Sequence, residues 1–308
     1  MVDISRPIPS GALLRKDGRP VGESAVDRAL TTADILAQET LIAAWAQERA
    51  DAGGVAHADV IEWSVVELSP AQAEVAAAMA GTRDLVLVVG PAGTGKTSAL
   101  APAVAQLRAE GRAVFGVAPS AAAAEVLATD TGVDADTLDK LLVEHTLGRQ
   151  PQRRYDLPAG ALVIVDEAGM VSTPKLAELA VLADWKGWRI ALVGDPLQFS
   201  AVGRSGMVAH LVDHHDGVIC LDGVHRFHHD WERDASLRLR RGDDTVLDLY
   251  DRHGRIHGGI GTAAQRAITS AWLHARELGE TVAMMAPTTD TVVELNHLAQ
   301  QRLVDAGH

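Results

Sequence analysis

The chain has 308 residues, 47% of them hydrophobic and 22% charged, enough for the core of one large or two ordinary domains and too apolar for an intrinsically disordered chain. A net charge of −13 counts against nonspecific coating of a phosphate backbone, although screening over about 10 Å leaves room for a local basic groove. The single cysteine, Cys220, excludes an internal disulfide and fits a reducing cytoplasm, the expected location; no apolar run is long enough to span a bilayer.

Residues 1 to 24 mix Pro, Gly and charge without periodicity and read as an extended arm that lacks a secretory signal. From Thr31 to about Ala50, the residues Ile35, Leu36, Leu41, Ile42 and Trp45 fall at helical spacing, with Thr32 or Asp34 as cap. IEWSVV at 61 to 66 reads as a short strand, so residues 1–66 form an arm and a small helical leader. Ser69 and Pro70 then open a helix whose first turn carries Gln72. The apolar runs LVLVVG (85 to 90), AVFGVAP (113 to 119), ALVIVDE (161 to 167) and IALVGD (190 to 195) alternate with helices, one of them opened by Thr173 and Pro174. Such alternation predicts an α/β fold with a mostly parallel sheet, helices on both faces and ligands at the carboxyl ends of the strands.

The string GPAGTGKT, between a buried strand and a helix, fits the phosphate loop of a nucleoside triphosphatase. Gly90, Pro91, Ala92, Gly93, Thr94 and Gly95 supply the turn whose amides surround a phosphate, Lys96 reaches the β and γ oxygens, and Thr97 offers a hydroxyl to magnesium. The expected cofactors are ATP and Mg2+. Pro102 should kink or shorten the helix that follows. Asp166 and Glu167 end an apolar strand; the first suits magnesium and the second suits polarising an attacking water, though paired acids also cap helices. Asp195 and Gln198 end another strand, and the Gln198 amide can donate to one oxygen and accept from a second. Among the histidines, His214, His215, His225, His228 and His229 lack the ligand pattern of a metal site and read as solvated.

Together, LSPAQ, GPAGTGKT, VAPSAAAA, VIVDEAGM, VGDPLQFSAVG and VHRF resemble the ordered motifs of a superfamily 1 helicase of the RecD-like branch, closest to the helicase portion of TraA/TrwC-type conjugative relaxases. That resemblance implies a RecA-like ATPase domain over 67–260, acting on single-stranded DNA in DNA transfer or recombination. It implies that Gln72 hydrogen-bonds adenine, that Arg226 touches the γ-phosphate, and that Pro119, Ser120 and Thr137 contact DNA. Arg226 also reads as a surface ion pair. Nothing before Thr31 matches the nicking domain of such relaxases. Arg226, Arg233, Arg238, Arg240, Arg241, Arg252 and Arg255 form the densest basic stretch, from which Arg240 and Arg241 are expected to hold DNA phosphates or else to form a solvated helix end.

A motor of this family closes a cleft between two RecA-like domains. TVAMMAPT (281 to 288) and the helical stretch after it resemble the first strand and helix of a second one, so 261–308 reads as the start of an incomplete domain. The missing part could come from a relaxase domain or a further helicase chain. The alternative is a truncated module that binds ATP, and DNA or a partner, without translocating.

Overall fold

The computed structural model describes residues 2–3, 30–57, 68–91, 93–198, 206–221, 223, 227 and 229–305. The expected strand at 61–66, and the residues Ala92, His225, Arg226 and His228, lie outside them. The chain divides into two compact units, Met1–Arg233 and Asp234–His308. The expected boundary at 260/261 falls inside the second unit.

In the first unit a two-residue antiparallel pair, β1 (Val2–Asp3) and β2 (Leu30–Thr31), precedes helix α1 (Ala33–Asp51). Then follow α2 (Pro70–Ala80), β3 (Leu85–Val89), α3 (Lys96–Ala109), β4 (Val114–Ala118), α4 (Ala121–Thr131), β5 (Ala135–Thr137) and α5 (Leu138–Thr146). The unit continues with β6 (Leu162–Val165), α6 (Thr173–Lys186), β7 (Arg189–Gly194), α7 (Met207–His214) and β8 (Val218–Cys220). Strands β3 to β8 form one parallel sheet in the order β5-β4-β6-β7-β3-β8. The α/β architecture read from the sequence is therefore present, with two short edge strands added to the four expected.

Side-chain alternation explains why the sheet is covered on both faces. Leu85 and Leu87 of β3 pack in one core with Ile42, Trp45, Phe115 and Leu141, whereas Val86 and Val88 pack in the other with Val75, Met79, Leu100 and Val104. Each such side chain contributes about 1.5–3 kcal/mol when fully buried. Helix starts are fixed locally: Thr32, Ser69, Ser120 and Thr137 each accept a first-turn amide of α1, α2, α4 and α5. Helix α3 runs through Pro102 to Ala109, so the expected shortening does not occur; the proline removes one backbone bond, and burial of Leu100, Ala103, Val104 and Leu107 holds the helix on.

The leader helix is docked, not free. Trp45 donates from Nε1 to Asp184 Oδ1 at 3.1 Å, and Arg49 reaches Asp184 Oδ1 at 2.8 Å and the Asp84 and Trp188 carbonyls at 3.0 and 2.9 Å. Because those carbonyls flank β3 and β7, α1 is tied to the two strands that carry the central part of the rim.

The second unit contains the rest of α8 (Asp230–Arg240), then α9 (Leu247–Arg252), α10 (Thr262–Glu277) and α11 (Thr289–Asp305). Helix α11 occupies the expected helical stretch, but 281–288 forms no strand. Val282 and Met285 are exposed there, and the Val282 carbonyl accepts from Trp272 Nε1 at 3.0 Å. A lone strand without a neighbour has no ladder to stabilise it, which accounts for the difference.

If α1 belongs to the cooperative core, Trp45→Ala should destabilise the protein by about 3–5 kcal/mol in urea unfolding. A loss near zero would show that α1 folds apart from the sheet.

Candidate active site

All six strands point the same way, so their carboxyl ends make one rim. Along it stand Thr137 at the end of β5, Pro119 and Ser120 after β4, Asp166 and Glu167 after β6, Asp195 and Gln198 after β7, and the loop from Gly90 after β3. Ala118 and Thr137 are register partners, which brings the Pro119–Ser120 segment beside Thr137.

The loop's shape comes from its glycines. Gly93 and Gly95 have φ of +84° and +74°, a region that costs other residues heavily. Gly95 is the N-cap of α3 and has no side chain to occupy the helix's first amides, which leaves them for an anion in a position favoured by the helix dipole. Thr94 closes the turn by donating its hydroxyl to the Pro91 carbonyl at 2.9 Å. The Gly90 amide donates to the Gly194 carbonyl at 3.0 Å, extending the β3–β7 ladder into the loop. Lys96 Nζ donates to the Gly90 carbonyl at 3.0 Å and stands 3.8 Å from Glu167 Oε1. The cation and the carboxylate therefore meet over the rim although β7 lies between their strands.

Gln72 is buried against this loop. Its Oε1 accepts from the Ser69 amide at 2.9 Å, completing a capping box, and Nε2 donates to the Thr94 and Gly95 carbonyls at 3.3 and 3.4 Å. The side chain that opens α2 thus also fixes the turn that opens α3.

On the acidic side, Asp166 is nearly buried and its Oδ1 accepts from the Glu167 amide at 2.9 Å. Burial pushes its carboxyl above the ordinary range; the Glu167 amide opposes that, the Glu167 charge adds to it, and Lys96 opposes it. A carboxylate that costs energy to hold charged is suited to a divalent cation, which restores the balance when bound. Glu167 has φ of +49°, an uncommon conformation for a non-glycine residue and one that recurs at functional sites. Asp195 is buried and accepts the Leu197 amide at 3.0 Å, and the Gln198 amide donates to the Asp195 carbonyl at 3.2 Å.

Two glycines that the sequence reading left unassigned bring these turns together. A Cβ on Gly194 would lie 2.9 Å from the Ala168 amide nitrogen, and one on Gly169 would lie 2.9 Å from the Asp195 carbonyl. The only signal for them is their place in the strings DEAG and VGD. The donor set, comprising open helix amides, Lys96, Thr97 and a buried carboxyl at Asp166, fits a magnesium-bound polyphosphate.

Of the basic stretch, Arg233 pairs with Asp230 at 3.1 Å and Arg238 with Asp243 at 2.8 Å, so part of its charge is neutralised locally. Arg240 and Arg241 lie at the end of α8 and just after it, in the second unit. His214 stacks on His210 at 4.1 Å, and among the described residues no cluster of metal ligands is found.

The Asp166 environment predicts a signed effect. Its folded pKa lies above the unfolded value, so the ionised form lowers stability above the folded pKa, and this cost vanishes as pH falls below the ordinary carboxylate value. Asp166→Asn should raise Tm at neutral pH and lose that advantage in acid, as measured by calorimetry across pH. A variant with lower Tm at neutral pH would contradict the assignment.

Residues 67–261 match the family described as AAA domain. Over 231 residues, 74% of this chain and 20% of the relative, the sequence is 30% identical to the probable conjugal transfer protein TraA of Sinorhizobium fredii. It is 30% identical over 242 residues to conjugal transfer protein TraA of Agrobacterium fabrum, covering 78% of this chain and 22% of that protein. The chain thus spans about a fifth of the length of these relatives. Among solved structures, the Pif1 helicase of Candida albicans aligns with 75% of this chain and 61% of its own, at 18% identity and a TM-score of 0.46. Among the described residues no helix is long and apolar enough to cross a membrane. The resemblance to TraA-type proteins drawn from the motifs holds, and the chain belongs to the AAA domain family.

Proposed function

We propose that the chain is the ATP-hydrolysing motor domain of a RecD-like DNA helicase, acting on single-stranded DNA as part of a longer cytoplasmic protein of DNA transfer. The observation that carries this reading is the meeting of Lys96 and Glu167 at 3.8 Å beside the buried Asp166, on the rim where the phosphate loop opens.

In this reading the amides at the start of α3 and Lys96 bind the β and γ oxygens of ATP, and Thr97 and Asp166 hold magnesium, which neutralises phosphate charge when bound. Glu167 orients a water for attack on the γ-phosphorus and accepts its proton, while Gln198 steadies the water or the γ oxygens. Arg226 is assigned to the charge that develops on the transferred group. Gln72 is assigned to adenine; its two donated bonds to the loop, at 3.3 and 3.4 Å, are long enough to exchange for that contact. Such an exchange would link base recognition to the set of the loop.

For DNA, Pro119, Ser120 and Thr137 share one stretch of the rim, and their neighbourhood on adjacent strands supports a common track. Arg240 and Arg241 are assigned to phosphates. A relaxase domain or further helicase chain would supply the second wall of the cleft. One observation favours the alternative of a non-translocating ATP-binding module: 281–288, expected to begin that wall, forms no strand.

Steady-state ATP turnover with and without single-stranded DNA tests the reading. Turnover should rise several-fold with DNA, fall by about 10²–10⁴ in Glu167→Gln, and lose much of its DNA stimulation in the Arg240→Ala/Arg241→Ala variant. Absence of DNA stimulation would discard the motor, and unwinding of a tailed duplex would discard the non-translocating module.

A further inference from the structure

The opposite end of the sheet, away from the phosphate loop, holds a cavity of about 370 Å³. It lies where β4, β6 and β7 begin and is lined by Arg112, Arg189, Ala113, Ala161, Pro158 and Ala159, among others. None of these residues belongs to the site described above.

Two arginines line it, and their partners are uneven. Arg112 donates to the Ala80 and Gly81 carbonyls at the end of α2 and pairs with Glu110 at 3.1 Å. Arg189, only 5% exposed, donates from Nε to the Arg83 carbonyl at 2.9 Å and from Nη2 to the Met79 carbonyl at 3.1 Å. Its Nη1 is buried and has no hydrogen-bond partner among the described residues.

Capping the carbonyls of α2 explains why arginines stand here, since cations are favoured at a helix carboxyl end. It does not explain the unused donor. A buried guanidinium without a counter-ion is costly, and an unsatisfied buried donor adds about 1–3 kcal/mol. Burial, with the neighbouring Arg112 charge adding, lowers the Arg189 pKa to about 10, and the Asp84 charge only partly opposes this. An anion beside the two arginines would offset the repulsion between the two cations and supply the buried one with a counter-charge.

We infer that the cavity is a binding site for a phosphate-type oxyanion, free or as a small organic phosphate ester, held by Arg189 and Arg112. Arginine suits this class because its fork of donors matches oxyanion geometry. One water needs about 10–15 Å³ of such space, so the cavity has room for far more than one water or a bare ion. Pro158, Ala159, Ala161 and Ala113 give the remainder an apolar wall on which the organic part of an ester would lie.

Thermal unfolding of the full chain at constant ionic strength, with inorganic phosphate or glycerol 3-phosphate replacing chloride, tests the site. A ligand at ten times its Kd should raise Tm by about 3–6 °C. The larger shift of the two names the source. Lys96→Ala should keep the shift, because the anion does not sit at the phosphate loop. Arg189→Met should lose it; should that variant fail to fold, Ala159→Glu, on the exposed rim of the cavity, places a competing carboxylate there and should lose it as well. No shift from either probe, a shift abolished by Lys96→Ala, or one retained in Ala159→Glu or a folded Arg189→Met would overturn the inference.

Discussion

The ladder between β3 and β7 is the constraint on which the rim depends. Five register pairs, Leu85 with Ile190 through Val89 with Gly194, fix two parallel strands, and the Gly90 amide adds a further bond to the Gly194 carbonyl at 3.0 Å. This bond sets where the phosphate loop begins, at the level where β7 releases Asp195. A slip of one residue would turn every side chain of β3 to the wrong face and move the loop away from the acids. Both faces of β3 are apolar, so what opposes such a slip is the fit of Leu85 and Leu87 in one core and of Val86 and Val88 in the other.

The charges then fall into place without a direct link between their strands. Glu167 adopts a left-handed backbone conformation and stands 3.8 Å from Lys96 across the intervening β7. Gly169 and Gly194 permit that turn to lie against the end of β7, because a side chain on either would collide with backbone. Steric room at two glycines, a ladder register and an N-cap at Gly95 that carries no side chain together bring the first amides of α3, Lys96 and the two acids to one stretch of the rim. Asp166 shows the cost: a carboxyl kept in low dielectric, above its ordinary pKa, whose charge is best balanced by a cation.

Much of this was legible in the chain because long apolar runs and glycine strings carry strong local signals. LVLVV, LVIV and RIALVG became β3, β6 and β7, and Ser69 capped α2 as its type and the following proline indicate. The short edges β5 (Ala-Asp-Thr) and β8 (Val-Ile-Cys) were not, since three residues hold no readable period and form only because a neighbour offers its ladder. TVAMMAPT has strand character but no such neighbour among the described residues, and stays irregular. The contact of Gln72 with the loop carbonyls depends on how α2 and α3 pack, a long-range fact invisible to spacing. The orphaned Nη1 of Arg189 is of the same kind, because only the assembled carbonyls of α2 show which donors are used.

In the function proposed for this chain, the loop from Gly90 to Thr97 binds ATP with magnesium through Lys96. Titration calorimetry with ATP, with and without magnesium, tests it most directly on the wild type and on Lys96→Met. Binding to the wild type should be saturable and magnesium-dependent, and weakened at least about 10-fold in the variant, as expected for loss of a charge-assisted hydrogen bond worth about 1.5–3 kcal/mol. Equal affinity in the two proteins, or no binding by the wild type, would contradict it.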